Sequence, residues 1–279
     1  MTLSLRRFFS SPHAGGVELA SLAVLYALYE IVRGFGGENW EAALAHTQDI
    51  VALEQRLSVY GERAVQEWAQ SVPALPSLLG IAYIVLHFAA TAIALVWVHR
   101  ARRDSFPIVR TSLIAATGLA LVGYVLYPAA PPRLAGEGFT DTVTEHAGLN
   151  LSSDLLGSLY NPIAAVPSLH FGYALLVGVA VAVLARNRAV RVVAALYHAA
   201  MLFIIVATGN HFLFDAVAGG AVTIAGWLVA KRVVARKPAP SLRAVGVDGK
   251  LGLDARAAAR RALHREPTAE RFQPVRQAA

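Results

Sequence analysis

The 279-residue chain contains no cysteine and few charged side chains. The absence of cysteine excludes disulfides, cysteine-ligated zinc and thiol catalysis. Charged residues make up 15% of the chain and hydrophobic residues 56%, which excludes an ordinary soluble domain. The sequence also lacks an internal repeat, a glycine-rich nucleotide loop after a strand, and a metal-type cluster of histidines and carboxylates. We therefore expect a membrane protein that uses no metal and no other cofactor.

Six apolar stretches approach the roughly 20 residues that a spanning helix needs. They are 17–34, 77–98, 111–128, 168–185, 192–209 and 212–230. The first is shortened by Glu18 and Glu30 and is also typical of a signal-peptide core, but no Ala-x-Ala cleavage site follows it, so we predict a retained helix. The expected fold is all-α: a polytopic six-helix membrane domain at 17–230, preceded by a cytoplasmic N-terminus at 1–16 and followed by a basic, disordered tail at 231–279.

The basic residues are unequally distributed between the two sides of this six-helix zigzag. They lie before helix 1, between helices 2 and 3, between helices 4 and 5, and after helix 6, whereas the segments 35–76 and 129–167 are acidic. Because cytoplasmic loops carry the excess of arginine and lysine, we expect both termini inside and these two acidic segments outside. The arginine- and alanine-rich, lysine-poor composition further indicates a bacterial plasma membrane.

The formal net charge of +7 is concentrated in the tail. Residues 231–279 hold twelve basic and four acidic residues, so the rest of the chain is nearly neutral. This location argues against a nucleic-acid partner. A solvated tail without a specific partner is the simpler interpretation, and contact with anionic lipid head groups beside the last helix is the alternative.

The acidic segment 40–70 has apolar residues at helical spacing with charges between them. It predicts one or two amphipathic helices that lie along the outer membrane surface.

Ionisable residues gather near the outer ends of the predicted helices. Asp215 follows His211 by four residues, so the two side chains share a helix face and can form a hydrogen bond. His170 begins helix 4, and Arg133 follows helix 3 in "YPAAPPRLAG". These four residues are expected to converge at one membrane level, although each also has a purely structural interpretation. His87 and His198 lie inside helices 2 and 5, and we expect both to be packed away from that level.

This set of side chains suits phosphoryl transfer. An imidazole oriented by a carboxylate is a good nucleophile, which is the role predicted for His211 with Asp215. His170 fits a general acid that protonates the leaving oxygen. Arg133 can hold two phosphate oxygens, and free backbone N–H groups at the start of the last helix and near Ser168 favour an anion.

At these residues the sequence resembles the type 2 phosphatidic acid phosphatase superfamily. The superfamily's Pro-Ser-Gly-His and His-x3-Asp motifs stand here as "PSLH" and "HFLFD", and the resemblance covers roughly 40–230. It implies a six-helix bundle with a phosphohistidine at His211, an orienting Asp215 and His170 as general acid. The leucine in "PSLH", with "PPR" upstream and "GNHFLFDAVAGG" downstream, is more similar to the branch of inositol phosphorylceramide synthases.

The sequence departs from the superfamily's pattern at two phosphate-gripping cations. No lysine precedes Lys231, so Leu126 occupies the position seven before Arg133, and Ile204 and Ile205 replace a Ser-Arg pair. Because a phosphodiester carries less charge than a monoester, these departures favour transfer of a phospho-head group from a phospholipid to an alcohol. The expected partners are a lipid phosphate or phospholipid substrate and the bilayer itself.

Two other functions remain open from the sequence alone: a lipid or polyprenyl-phosphate transporter whose polar cluster is a binding site, and a non-catalytic membrane scaffold. Transporters tend to have paired, broken helices near the middle of the membrane. The apolar stretches here are uninterrupted and the cluster lies at their ends, which favours the enzyme, a lipid phosphatase or phosphotransferase.

Overall fold

The computed structural model describes residues 39–136, 138–148 and 161–235, together with residues 27, 30 and 31. Over these residues the regular structure is eight α-helices and one short 3₁₀ helix, with no strand longer than the isolated bridge between Ala129 and Ala164. The all-α prediction is therefore confirmed. The α-helices are α1 (Trp40–Arg56), α2 (Glu62–Ser71), α3 (Leu75–Ala101), α4 (Phe106–Leu126), α5 (Thr142–Ala147), α6 (Leu169–Leu184), α7 (Arg188–Ala207) and α8 (Leu213–Ala235).

Four of these helices, α3, α4, α7 and α8, are long and apolar enough to cross a membrane. They indicate a membrane protein. The six-span prediction is reproduced only in part, because the stretch at 17–34 falls almost wholly outside the described residues and α6 has only 16 residues. Sixteen residues extend about 24 Å, less than the roughly 30 Å of a hydrocarbon core. Helix α6 is short because Ser168 caps its start directly after Pro167 and extended backbone at Ala185 ends it.

Short connections of at most five residues join α3 to α4, α6 to α7 and α7 to α8, so the two helices of each pair run in opposite directions. The end of α3 meets the end of α6, where Nε of Arg102 donates a hydrogen bond to the carbonyl oxygen of Leu184 at 2.8 Å. Near the end of α8, Nζ of Lys231 lies 4.3 Å from the ring centroid of Trp227. We call this side, formed by the ends of α3, α6 and α8 and the starts of α4 and α7, the basic end. The opposite side is called the site end.

Helix α8 packs against α4 and α6 through glycines. A Cβ on Gly219 would overlap the carbonyl oxygen of Ser168, and one on Gly226 would lie 2.7 Å from the backbone nitrogen of Ala116. Small residues allow such close backbone approach between membrane helices. The start of α6 is therefore held directly against α8.

Helices α1 and α2 cover the site end. In α1, the hydroxyl of Thr47 donates to the carbonyl oxygen of Ala130 at 2.9 Å and accepts from its N–H at 3.0 Å. In α2, the side-chain amide of Gln66 pairs with both backbone groups of Thr140. The sequence interpretation of segment 40–70 as one or two helices thus resolves to two, and their position on a membrane surface stays a prediction.

Candidate active site

His211 and Asp215 form a buried hydrogen-bonded pair at the start of α8. Gly209, with φ +69°, makes the turn that follows α7, and His211 lies two residues later. Nδ1 of His211 lies 3.1 Å from Oδ2 of Asp215. The relative exposure is 5% for His211 and 0% for Asp215. Because Nδ1 is used by the carboxylate, Nε2 is the ring nitrogen left to face a substrate.

The start of α6 brings His170 beside this pair. The N–H of Ser168 donates to the carbonyl oxygen of Asp215 at 3.0 Å, which ties the two helix starts together. The ring centroids of His170 and His211 lie 5.8 Å apart. The predicted convergence of these two histidines is therefore present in the structure.

Ser168 itself is fully buried. Its side-chain oxygen caps α6 by accepting from the N–H of Phe171 at 3.4 Å. Its role as a phosphate ligand stays a prediction, and the contacts in the structure are those of a helix cap.

Arg133 lies in the 3₁₀ helix Pro132–Leu134 and contacts the turn that precedes His211. Its backbone N–H donates to the carbonyl oxygen of Gly209 at 2.9 Å, and its Nε donates to Oδ1 of Asn210 at 2.9 Å. One of its terminal nitrogens forms an ion pair with Asp141 at 2.8 Å, and the side chain is 2% exposed. Arg133 is thus part of the cluster, as expected, but two of its donor groups already bind protein oxygens.

The start of α8 differs from the sequence expectation. Side-chain carboxyl oxygens accept from three consecutive backbone N–H groups: Phe212 donates to Asp215 at 3.1 Å, Leu213 to Glu62 at 2.9 Å, and Phe214 to Glu54 at 2.6 Å. The prediction that these N–H groups are free for a phosphate is wrong. Helices α1 and α2 bring two acidic side chains into the place that an anion would take at a helix N-terminus.

Sequence reasoning missed Glu54 and Glu62. Both are buried, and burial, followed by the neighbouring Glu62 carboxyl, raises the pKa of Glu54 from 4.5 to about 8. A signal was present, because Glu54 follows Ile50 by four residues and Thr47 by seven, on one helix face, and both of those residues are buried. The sequence interpretation took the charged residues of segment 40–70 to be exposed, and so it did not identify Glu54 and Glu62 as buried.

The position of His87 also differs from the sequence expectation. Its ring centroid lies 4.4 Å from that of His170, although we expected it to be packed away from the site. The physical reason is the unequal length of the two helices. His87 lies twelve residues after Leu75, about 18 Å along α3, and the short helix α6 begins beside that point. Tyr83, one turn earlier on α3, stacks on His170 with centroids 4.3 Å apart.

Within the described residues, no group of three or more histidines and carboxylates is arranged to hold a metal ion. A buried imidazole oriented by a carboxylate, faced by a second imidazole and flanked by an arginine, suits nucleophilic attack on phosphorus.

The model of the PAP2 superfamily matches residues 48–229, which is more than half of the chain. The chain belongs to the PAP2 superfamily. Members of this superfamily are generally phosphatases or phosphotransferases, so membership suggests such an activity here. No curated protein and no solved structure matches the chain.

Proposed function

We propose that this PAP2-superfamily chain is a membrane phosphotransferase or phosphatase that acts on lipid phosphates through a phosphohistidine at His211. The observation that carries the proposal is the His211–Asp215 pair, with Nδ1 and Oδ2 3.1 Å apart, facing the His170 ring at a centroid distance of 5.8 Å. A phosphate between the two rings would contact a nucleophile on one side and a proton donor on the other.

In the first step, Nε2 of His211 attacks phosphorus and the bond from phosphorus to the leaving oxygen breaks. Asp215 holds the tautomer in which Nε2 carries the lone pair, and it stabilises the positive charge that develops on the ring. His170 gives a proton to the leaving oxygen, a contribution of about 10²–10⁴ in rate for general acids of this kind.

In the second step, an oxygen nucleophile attacks the phosphoenzyme and the phosphorus–nitrogen bond breaks. His170, now without its proton, accepts the proton of the attacking hydroxyl. Water as nucleophile gives a phosphatase, and an alcohol gives a phosphotransferase. The missing lysine and the Ile204–Ile205 pair reduce the positive charge available for a monoester, so we favour a phosphodiester donor and an alcohol acceptor, as in the branch of inositol phosphorylceramide synthases.

Arg133 is proposed as a phosphate ligand that exchanges partners. Its ion pair with Asp141 is only partly buried on the aspartate side, where the exposed fraction is 23%. A phosphate oxygen can replace that carboxylate at the guanidinium without moving the bond from Nε to Asn210. This arrangement would release Arg133 for the substrate while Asn210 keeps it beside His211.

The site is proposed to face away from the cytoplasm, in a bacterial plasma membrane, because the opposite end of the bundle carries the basic residues. A reporter that works only outside the cytoplasm should be active when fused within 138–148 and silent when fused within 101–105 or after 240. An inverted pattern would place the site on the cytoplasmic side.

The activity is tested by incubating the purified full-length protein with labelled phospholipids, with and without added alcohols, and identifying the products. Phosphorylated products or exchanged head groups that disappear in His211→Ala support the proposal. Inertness toward both lipid monoesters and diesters contradicts it.

A further inference from the structure

One face of α3 carries polar side chains inside an otherwise apolar helix. Tyr83, His87 and Thr91 follow one another at intervals of four residues, so they lie on consecutive turns of the same face. All three are buried. Polar groups are costly in a spanning helix and are a functional candidate there, and the proposed reaction of His211, Asp215 and His170 uses none of the three.

This face continues the active site toward the basic end. Tyr83 and His87 both contact the ring of His170, at centroid distances of 4.3 and 4.4 Å. His87 also stacks on Tyr173, three residues after His170 on α6, at 5.2 Å. The polar surface at His170 therefore extends at least one helical turn farther toward the basic end.

Two hydrogen-bonding atoms on this face are buried and have no hydrogen-bond partner among the described residues: Nδ1 of His87 and Oγ1 of Thr91. Other threonines in the bundle behave differently. Thr117, Thr208 and Thr223 each donate to the carbonyl oxygen four residues earlier in their own helix, at 2.7 to 2.8 Å. The hydroxyl of Thr91 thus does not bond to the backbone of its own helix. It lies one turn from Nδ1 of His87, which also has no hydrogen-bond partner among the described residues.

A hydroxyl group matches these two atoms. It can bond to Nδ1 of His87 in either tautomer of the imidazole, as donor or as acceptor, and it can bond to the hydroxyl of Thr91 at the same time. The nearby surface of α3 is suited to a lipid chain, since Phe88, next to His87, is 68% exposed on the outside of the bundle.

We propose that His87 and Thr91 form a subsite for the second hydroxyl group of a lipid alcohol that bears two neighbouring hydroxyls. The proposal rests on the function proposed above. The first hydroxyl attacks the phosphorus on His211, the phosphorus–nitrogen bond breaks, and the proton passes to His170. The adjacent hydroxyl is held by His87 and Thr91, so one diol spans the two neighbouring imidazoles.

The test is a competition between two acceptors in the full-length protein. A long-chain 1,2-diol and the primary alcohol of the same chain length are supplied together in phosphatidylcholine vesicles with a nitrophenyl phosphodiester donor. The ratio of the two transfer products is measured by mass spectrometry. This ratio is internal to each sample, so it does not depend on the fraction of correctly folded protein.

The wild-type protein should prefer the diol by about 10-fold, the range expected for one or two buried neutral hydrogen bonds. Thr91→Val replaces the hydroxyl with a methyl group of similar size and should lower the preference about threefold. His87→Phe keeps a ring beside His170 and should lower it further. Thr223→Val is the matched control, because that hydroxyl bonds to its own helix, and it should keep the wild-type ratio.

Nitrophenol release and acid-labile phosphate on the protein are measured in the same samples. If the wild-type protein shows neither, the proposed function fails. If it is labelled and releases nitrophenol but transfers to both alcohols equally or to neither, or if both variants keep the wild-type preference, the subsite proposal is overturned while the proposed function stands.

Discussion

The two ends of the helix bundle are held together in different ways. At the site end, buried groups from segments far apart in sequence bind one another: Glu54 and Glu62 accept from the first turn of α8 across more than 150 residues. At the basic end, contacts are made by side chains at the surface, such as Lys231 over Trp227 one turn earlier in the same helix. The difference indicates that buried long-range contacts fix the geometry where the imidazoles meet, whereas the contacts at the basic end are partly exposed.

The largest expected effect is at the centre of the site end. His211→Ala should form no acid-labile phosphoenzyme from a nitrophenyl donor, because Nε2 of His211 is the proposed nucleophile. His170→Ala should still be labelled by that activated donor and fail with a natural lipid, since general-acid help matters most for poor leaving groups. Asp215→Asn should lie between them.

Covalent phosphate is measured after a rapid acid quench. Normal labelling of His211→Ala together with loss of labelling in His170→Ala would reverse the two roles. If neither substitution changes labelling, the site end does not perform this chemistry.

Arg133 is expected to follow in size. Arg133→Lys keeps the charge but loses the planar fork that binds Asn210 and Asp141 together. Turnover should fall by about 10²-fold, comparable to the loss of one transition-state hydrogen-bond donor. Steady-state rates with a lipid donor measure it, with the melting temperature as a check on folding. Wild-type turnover would show that Arg133 does not bind the phosphate.

The close approach of α6 and α8 gives the next effect. Gly219→Ala would place a methyl group in steric overlap with the carbonyl oxygen of Ser168 and so force apart the helix starts that carry His170 and Asp215. We expect a loss of about 1–3 kcal/mol in the free energy of unfolding, with reduced activity. Gly118→Ala in α4 is the control, because its Cβ meets no atom within 4 Å, and it should be neutral or slightly stabilising. Thermal unfolding in detergent compares the two variants, and equal behaviour would contradict this account of the packing.

Much of the contrast between the two ends is predictable from sequence. The apolar stretches of the sequence predict α3, α4, α6, α7 and α8 with bounds that differ from the observed ones by no more than five residues. The four-residue interval between His211 and Asp215 predicts their pairing because helix geometry fixes that distance. The distribution of arginines along the chain also distinguishes the basic end from the site end.

The contacts that sequence did not predict are those set by tertiary packing. The position of His87 beside His170 depends on where the short helix α6 begins relative to α3, and no local pattern encodes that offset. The capping of α8 by Glu54 and Glu62 depends on how α1 and α2 fold over the bundle. Both cases join residues more than 80 positions apart, for which one sequence gives no pairing signal.

The carboxylate cap predicts a modest pH dependence at the site end. An unfolded chain releases the Glu54 proton near pH 4.5, whereas in the folded protein the pKa of this carboxyl is about 8. The stabilising contribution of that proton is therefore complete below about pH 4.5 and is lost as the pH rises to about 8. The neighbouring charges are Glu62 and Asp215, which both disfavour ionisation of Glu54.

Glu54→Gln keeps an oxygen that can accept from the N–H of Phe214 and removes the titration. Between pH 6 and pH 9, the melting temperature of this variant should fall by on the order of 5 °C less than that of the wild-type protein. Parallel melting curves for the two proteins over this range would show that the charge state of Glu54 does not couple to folding.

The smallest effect is expected at the basic end, where Arg102 provides the counterpart of Arg133. Its Nε donates to Leu184 and one terminal nitrogen to the carbonyl oxygen of Ala101, while its guanidinium lies 5.7 Å from the ring centroid of Trp97. These contacts are partly exposed, and exposed charged contacts contribute roughly 0–1 kcal/mol.

Arg102→Lys should therefore change turnover by less than about twofold and the melting temperature only slightly. The same assays that are applied to Arg133→Lys measure it, so the two identical substitutions differ only in the end of the bundle that they test. A loss in Arg102→Lys as large as that in Arg133→Lys would mean that the basic end also holds the geometry of the site, because Arg102 contacts α6 at the end opposite to His170.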